Sequence, residues 1–97
     1  MLNEIRVKCL LVDYLHENFD VRTVGVEVPF LSGKRWADVL LVTSRREMIA
    51  FEIKSDHDSL RRLSHQLKDY TRTFNKVFVV LSDRFDEPRI LRGLPQS

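Results

Sequence analysis

With 97 residues, 43% of them hydrophobic and 31% charged, the chain is sized for one domain with one core and is too apolar for a disordered tail. A formal net charge of +2 is nearly neutral and neither requires nor excludes a nucleic-acid partner. The single cysteine, Cys9, excludes an intrachain disulfide or a CxxC zinc site. No apolar run approaches the ~20 residues needed to span a bilayer, so no membrane partner is expected.

Glu4, Arg6 and Lys8 interrupt any signal-peptide pattern at the N-terminus, and a cytoplasmic location is expected. The first element is a helix over 3–17. Ile5, Val12, Leu15 and Phe19 fall near a 3.6-residue period, with Asn3 as N-cap and Asn18 as terminator. Cys9 lies within that pattern and is expected to be buried as a small hydrophobe. Val24, Val26 and Val28 alternate with Gly25 and Glu27, which predicts a strand over 21–28 that Pro29 stops. Ser32-Gly33-Lys34 reads as a turn.

A second strand is expected over 36–43, with Asp38, Leu40 and Val42 on one face. A polar turn over 43–47 leads to a third strand over 48–54. Met48, Ala50, Glu52 and Lys54 share one of its faces, and Ile49, Phe51 and Ile53 the other. Short connections make these three an antiparallel meander. Asp56 or Asp58 then caps a helix whose stripe is Leu60, Leu63, Leu67, Tyr70 and Phe74, ended by Asn75. Val77 to Leu81 is continuously apolar, as in a strand buried on both faces and reached by a crossover. A short last helix is expected over 87–94. The whole predicts one α/β domain over 1–97: an αβββαβ core with a four-stranded mixed sheet flanked by helices.

The chemistry-bearing pattern is split. Asp38 closes Arg35-Trp36-Ala37-Asp38, and thirteen residues later comes Glu52-Ile53-Lys54. Glu52 and Lys54 would point to one side of their strand, about 7 Å apart, with Asp38 converging from its neighbour. Two carboxylates can hold a hard divalent cation, and a lysine beside them can neutralise developing phosphate charge. The alternatives are structural: a salt bridge from Asp38 to Arg35 or Lys54, a Glu52–Lys54 pair, or Lys54 as an edge charge.

In element order and in Asp38 with Glu52-Ile53-Lys54, the chain resembles the PD-(D/E)xK nuclease superfamily, with its restriction endonuclease-like fold, over Glu4 to Leu81. Ala37 stands where that family usually has proline. The resemblance implies Asp38, Glu52 and Lys54 as catalytic residues, with Glu4 at the start of the first helix and Gln66 on the second facing the same site. It implies Mg2+ or Mn2+ on Asp38, Glu52 and Glu4. It implies a metal-dependent endonuclease cutting DNA, RNA being left open, with structure-selective or weak sequence preference. A homodimer would let two strands be cut. Two bland readings remain beside it: Glu4 suits a helix dipole in any first turn, and Gln66 could serve as a flank hydrogen bond.

Between Arg61 and Lys76 there are five basic residues, Arg61, Arg62, Lys68, Arg72 and Lys76, against the single acid Asp69. Arg35, Arg61, Arg62 and Lys68 are the candidates for phosphate contact. The alternative is an ordinary solvated helix face. His57 is expected to be structural, His16 and His65 to lie on the surface, and Glu27 to be an exposed strand residue. Trp36 and Phe30 could stack on bases, although packing in the core or an interface is expected. The competing function is a catalytically idle nucleic-acid-binding or protein-interaction module with the same fold.

Overall fold

The computed structural model describes residues 4–54 and 63–81, with side chains left undescribed for 63–66. Six elements follow in chain order: α1 (Glu4–Asn18), β1 (Val21–Phe30), β2 (Arg35–Thr43), β3 (Met48–Lys54), α2 (Leu63–Thr73) and β4 (Lys76–Leu81). The expected caps Asp56 and Asp58, with His57 and the helix over 87–94, lie outside the described residues.

One four-stranded sheet forms in the order β1-β2-β3-β4. β1 pairs antiparallel with β2, β2 antiparallel with β3, and β3 parallel with β4. The connection through α2 makes the last pair parallel, because a parallel neighbour requires a crossover rather than a hairpin.

The period-2 pattern sends alternate side chains to two cores. Val39, Leu41, Ile49, Phe51, Ile53, Phe78 and Val80 pack under α1, against Val7, Leu11, Tyr14 and Leu15. Leu40 and Ala50 pack on the opposite side with Tyr70 and Phe74 of α2, joined by Phe30 and Ala37. Rings of Phe30 and Phe74 meet edge-on at 4.9 Å, and Phe30 and Tyr70 are equally close. No helix among the described residues is long and apolar enough to cross a membrane.

Several expectations change. β1 runs through Pro29 to Phe30 rather than stopping before the proline. As an outer strand it pairs only with β2, so the missing N–H is tolerated. β4 is the other outer strand among those described. Its Val79 and Val77 are half-buried, so the apolar run does not mean burial on both faces. Cys9 is exposed, not buried: Val7, Leu11, Tyr14 and Leu15 carry the inner face of α1, and Cys9 falls on its outer side. Trp36 is 56% exposed rather than packed.

The helix ends are set by asparagine chemistry. The Asn18 amide donates to the Tyr14 carbonyl at 2.8 Å, taking up one of the orphan C-terminal acceptors. Asn75 exchanges two bonds with Met48, N–H to carbonyl at 2.9 Å and Oδ1 from the Met48 N–H at 2.7 Å. That pair fastens the end of α2 to the start of β3. The β1–β2 connection places Leu31, Ser32 and Gly33 at φ of 53°, 54° and 81°. Only glycine adopts this left-handed region without steric cost, so the hairpin tip is specified most strongly at Gly33.

Candidate functional site

The sheet brings Asp38, Glu52 and Lys54 together, as their strand positions require. Glu52 is buried, and its Oε1 meets the Lys54 ammonium at 3.3 Å. Its Oε2 receives the hydroxyl of Tyr70, a fully buried residue of α2. The same hydroxyl lies 2.9 Å from the Trp36 carbonyl. Tyrosine has one proton, so the two acceptors share it. Asp38 Oδ2 accepts the Ile53 N–H at 2.7 Å, not a salt bridge from Arg35 or Lys54.

Burial pushes the Asp38 carboxyl from 3.8 up to about 6. The Ile53 N–H and the Lys8 ammonium oppose that rise, while the adjoining Glu52 adds to it. Two carboxyls against each other resist double ionisation, as like charges do in any confined pair. Tyr70 is held far above the ordinary phenol range, first by burial and then by its bond to Glu52.

A second charged group sits on the α1 side. Lys8, itself buried, donates to Glu27 Oε1 at 2.8 Å and has Glu4 at 3.9 Å. The Glu27 bond raises the Lys8 pKa against the opposing effect of burial, and the same bond lowers that of Glu27. Glu27 reaches Lys8 from a backbone at φ 53°, a conformation uncommon for a side-chain-bearing residue. Two residues before it, Gly25 suits the strand because any Cβ there would meet Val28 Cγ2 at 2.6 Å.

Of the residues expected at the site, then, Asp38, Glu52 and Lys54 converge. Glu4 lies against Lys8. Gln66 is on α2, with its side chain outside the described residues. Among the described residues no three His, Cys, Asp or Glu side chains gather to hold a metal ion. Of the phosphate-contact candidates, Arg35 is turned inward to Asp69 of α2 at 3.0 Å, Lys68 is exposed, and Arg61 and Arg62 lie outside the described residues. Two participants had no separate signal as site members. Tyr70 reads as an apolar stripe residue, although a buried phenol hydroxyl needs a partner. The sequence signal that could have found Lys8 is its i+4 spacing from Glu4.

A family model for bacteriophage P4 protein cII matches residues 1–95. The chain belongs to the bacteriophage P4 protein cII family. Protein cII of Enterobacteria phage P4 is 36% identical over 87 residues, covering 88% of this chain and 32% of the relative. The cII-family chain thus spans about a third of the length of that relative. No solved structure matches it.

This membership overturns the resemblance to PD-(D/E)xK nucleases, and with it the expected Mg2+-dependent DNA endonuclease. The physical reason lies in how little the short pattern specifies. An acid two residues before a lysine puts the pair on one face of any strand. Here the two satisfy each other, which was the bland alternative for Glu52 and Lys54. The cII-family chain keeps the coarser architecture, an α/β fold with a four-stranded mixed sheet and two described helices.

The buried carboxyl gives a pH test. Folding raises the Asp38 pKa, so the folded state binds its proton more tightly than the unfolded chain does. The stabilisation from that proton is complete below pH 3.8 and is lost as pH rises through about 6. Asp38→Asn keeps an oxygen for the Ile53 N–H but has no proton to lose. The unfolding free energy of wild type minus that of Asp38→Asn is therefore expected to fall between these pH values and then level off. Contributions such as that of Glu27 cancel in the difference. Urea titrations at a series of pH values measure it, and a flat difference would place Asp38 in water.

Proposed function

We propose that the chain is a nucleic-acid-binding module that acts by occupying DNA rather than by cutting it. One observation supports this reading: among the described residues, exposed acids are confined to one stretch of the chain. Among the described residues, every exposed acid falls between residues 4 and 27, namely Glu4, Asp13, Glu17, Asp20 and Glu27. Beyond residue 27 the exposed charged residues among those described are Lys34, Arg45, Arg46, Lys68 and Arg72, all basic. The described acids beyond residue 27 are each engaged within the chain: Asp38 by Ile53, Glu47 by Lys76 at 3.7 Å, Glu52 by Lys54 and Asp69 by Arg35. Among the described residues, the exposed cations of α2 and the β1–β2 connection, Lys34, Lys68 and Arg72, therefore stand without exposed acids on the same elements. Positive potential focused on one face raises the local concentration of a polyanion.

Lys68 and Arg72 are one helical turn apart on α2. Lys34 stands on the hairpin, at a cleft of ≈ 570 Å³ lined by Leu31, Ser32, Lys34, Arg35 and Asp69. The test is binding of a labelled oligonucleotide, followed by anisotropy over a salt series. Lys34→Ala/Lys68→Ala/Arg72→Ala is expected to weaken binding by about 10-fold or more at low salt. It should also flatten the log–log salt slope by up to about 2–3 units, at 0.7–0.9 per phosphate released. Equal slopes for the two proteins would sink the reading. Absence of binding by wild type at low salt would favour a protein-interaction module instead.

A further inference from the structure

We infer that the apolar groove between α1 and β1 is an interface that receives the β1–β2 hairpin tip of a second copy of this chain. This inference is independent of the nucleic-acid reading above.

Among the described residues, four large apolar side chains stand exposed: Ile5, Val26, Leu31 and Trp36. Two of them share one groove. Ile5, 73% exposed, and Val26, 49% exposed, line a space of about 580 Å³ together with Cys9 and Val12 of α1. Apolar surface gathered in one concavity marks an interaction site, because a covering partner takes it out of water. Charge selects that partner. Lys8, Asp13 and Glu27 complete the groove wall, and Glu4 stands 3.9 Å from Lys8. Lys8 is already bonded to Glu27 at 2.8 Å, so three carboxylates against one ammonium leave the rim negative. Two such grooves meeting face to face would oppose like charges, which disfavours a symmetric contact.

The hairpin tip is the complement. Leu31, 40% exposed, offers apolar surface there, and Leu31-Ser32-Gly33-Lys34 contains no acid. Lys34 is exposed, and its N–H donates to the Leu31 carbonyl at 3.1 Å, so cation and apolar side chain belong to one tight turn. The Gly33 N–H donates to the Phe30 carbonyl at 3.2 Å, and the Phe30 ring lies 4.9 Å from those of Tyr70 and Phe74. A tip braced in this way loses little freedom on docking. Leu31 covers Ile5 and Val26, and Lys34 faces the carboxylates of the rim. Groove and tip are different sets of residues, so the contact is heterologous. Each added copy leaves a groove or a tip free, and association continues into a chain or closes into a ring. A tip in a groove buries less than the ~1,200 Å² of a standard interface, so the association is weak and depends on concentration.

Sedimentation equilibrium of the chain without nucleic acid, over a rising concentration series, tests this. The average mass of wild type is expected to climb with concentration and to fall back in high salt, which screens the Lys34 contacts. Leu31→Asp, at a turn position of φ 53° that aspartate tolerates, and Val26→Asp are each expected to stay monomeric. Circular dichroism checks both folds, and Ile5→Ser takes the place of Val26→Asp if that variant does not fold. An equimolar mixture of the tip and groove variants is the decisive arm. One supplies an intact groove and the other an intact tip, so the mixture should form a dimer that grows no further. A wild type that remains monomeric, or association that survives either variant, overturns the inference. So does a mixture in which the two variants fail to pair, which would mark a symmetric contact. Each of these outcomes leaves the nucleic-acid reading standing.

Discussion

Phe51→Ala is expected to remove about 3–5 kcal/mol of stability. Phe51 is fully buried on β3, one of the two inner strands. Its ring meets that of Phe78 on β4 at 5.4 Å and 40°, and it belongs to the core that α1 covers. Truncation leaves a cavity that cannot readily collapse, because strands on either side fix the backbone. Domains of this size are stable by only ~5–15 kcal/mol, and each kcal/mol shifts the melting temperature by roughly 4–8 °C. A fall of about 12 °C or more is therefore expected in a thermal melt. Phe51→Leu, which keeps much of the volume, should cost much less. A loss below about 1 kcal/mol for the alanine variant would show that the α1 core is not closed over β3.

Glu52→Leu is expected to cost about 3–5 kcal/mol for a different reason. It leaves the Lys54 ammonium, largely enclosed, without its carboxylate, and an uncompensated buried charge is expensive. Tyr70 loses one acceptor but keeps the Trp36 carbonyl, so its hydroxyl adds little to the cost. Replacing both members of the pair should then be much milder than replacing one. The double variant Glu52→Leu/Lys54→Met is expected to recover most of the loss, because an apolar pair of similar volume carries no desolvation penalty. Urea denaturation of the two single variants and the double gives the coupling. Simple additivity of the two losses would mean that Glu52 and Lys54 are solvated separately and form no buried pair.

The two variants probe different layers of legibility. Phe51 sits in a run whose alternation, Ile49, Phe51 and Ile53 against Met48, Ala50, Glu52 and Lys54, already assigned it to a face. Strand periodicity is a local property, and one buried face is enough to fix it. The α2 stripe of Tyr70 and Phe74 was legible for the same reason, as were Asn18 and Asn75 at the helix ends. Asp38 and Glu52 could be placed near each other from strand pairing. Their use could not, since the same geometry serves a cation or an internal lysine, and Glu52 has the lysine. The nuclease expectation failed at that step.

By itself, then, the sequence determined the order αβββαβ, the faces of the inner strands and the convergence of Asp38, Glu52 and Lys54, because each follows from side-chain period and short connections. Tertiary structure alone decided which charges are consumed internally. Arg35 meets Asp69 across 34 positions of chain, and Lys8 meets Glu27 across 19. Such pairings depend on how helices sit on the sheet, which no local pattern encodes. The same docking left Cys9 and Trp36 exposed. Burial is a property of the assembled layers: a residue's period assigns its face, but only the neighbouring element decides whether that face is covered.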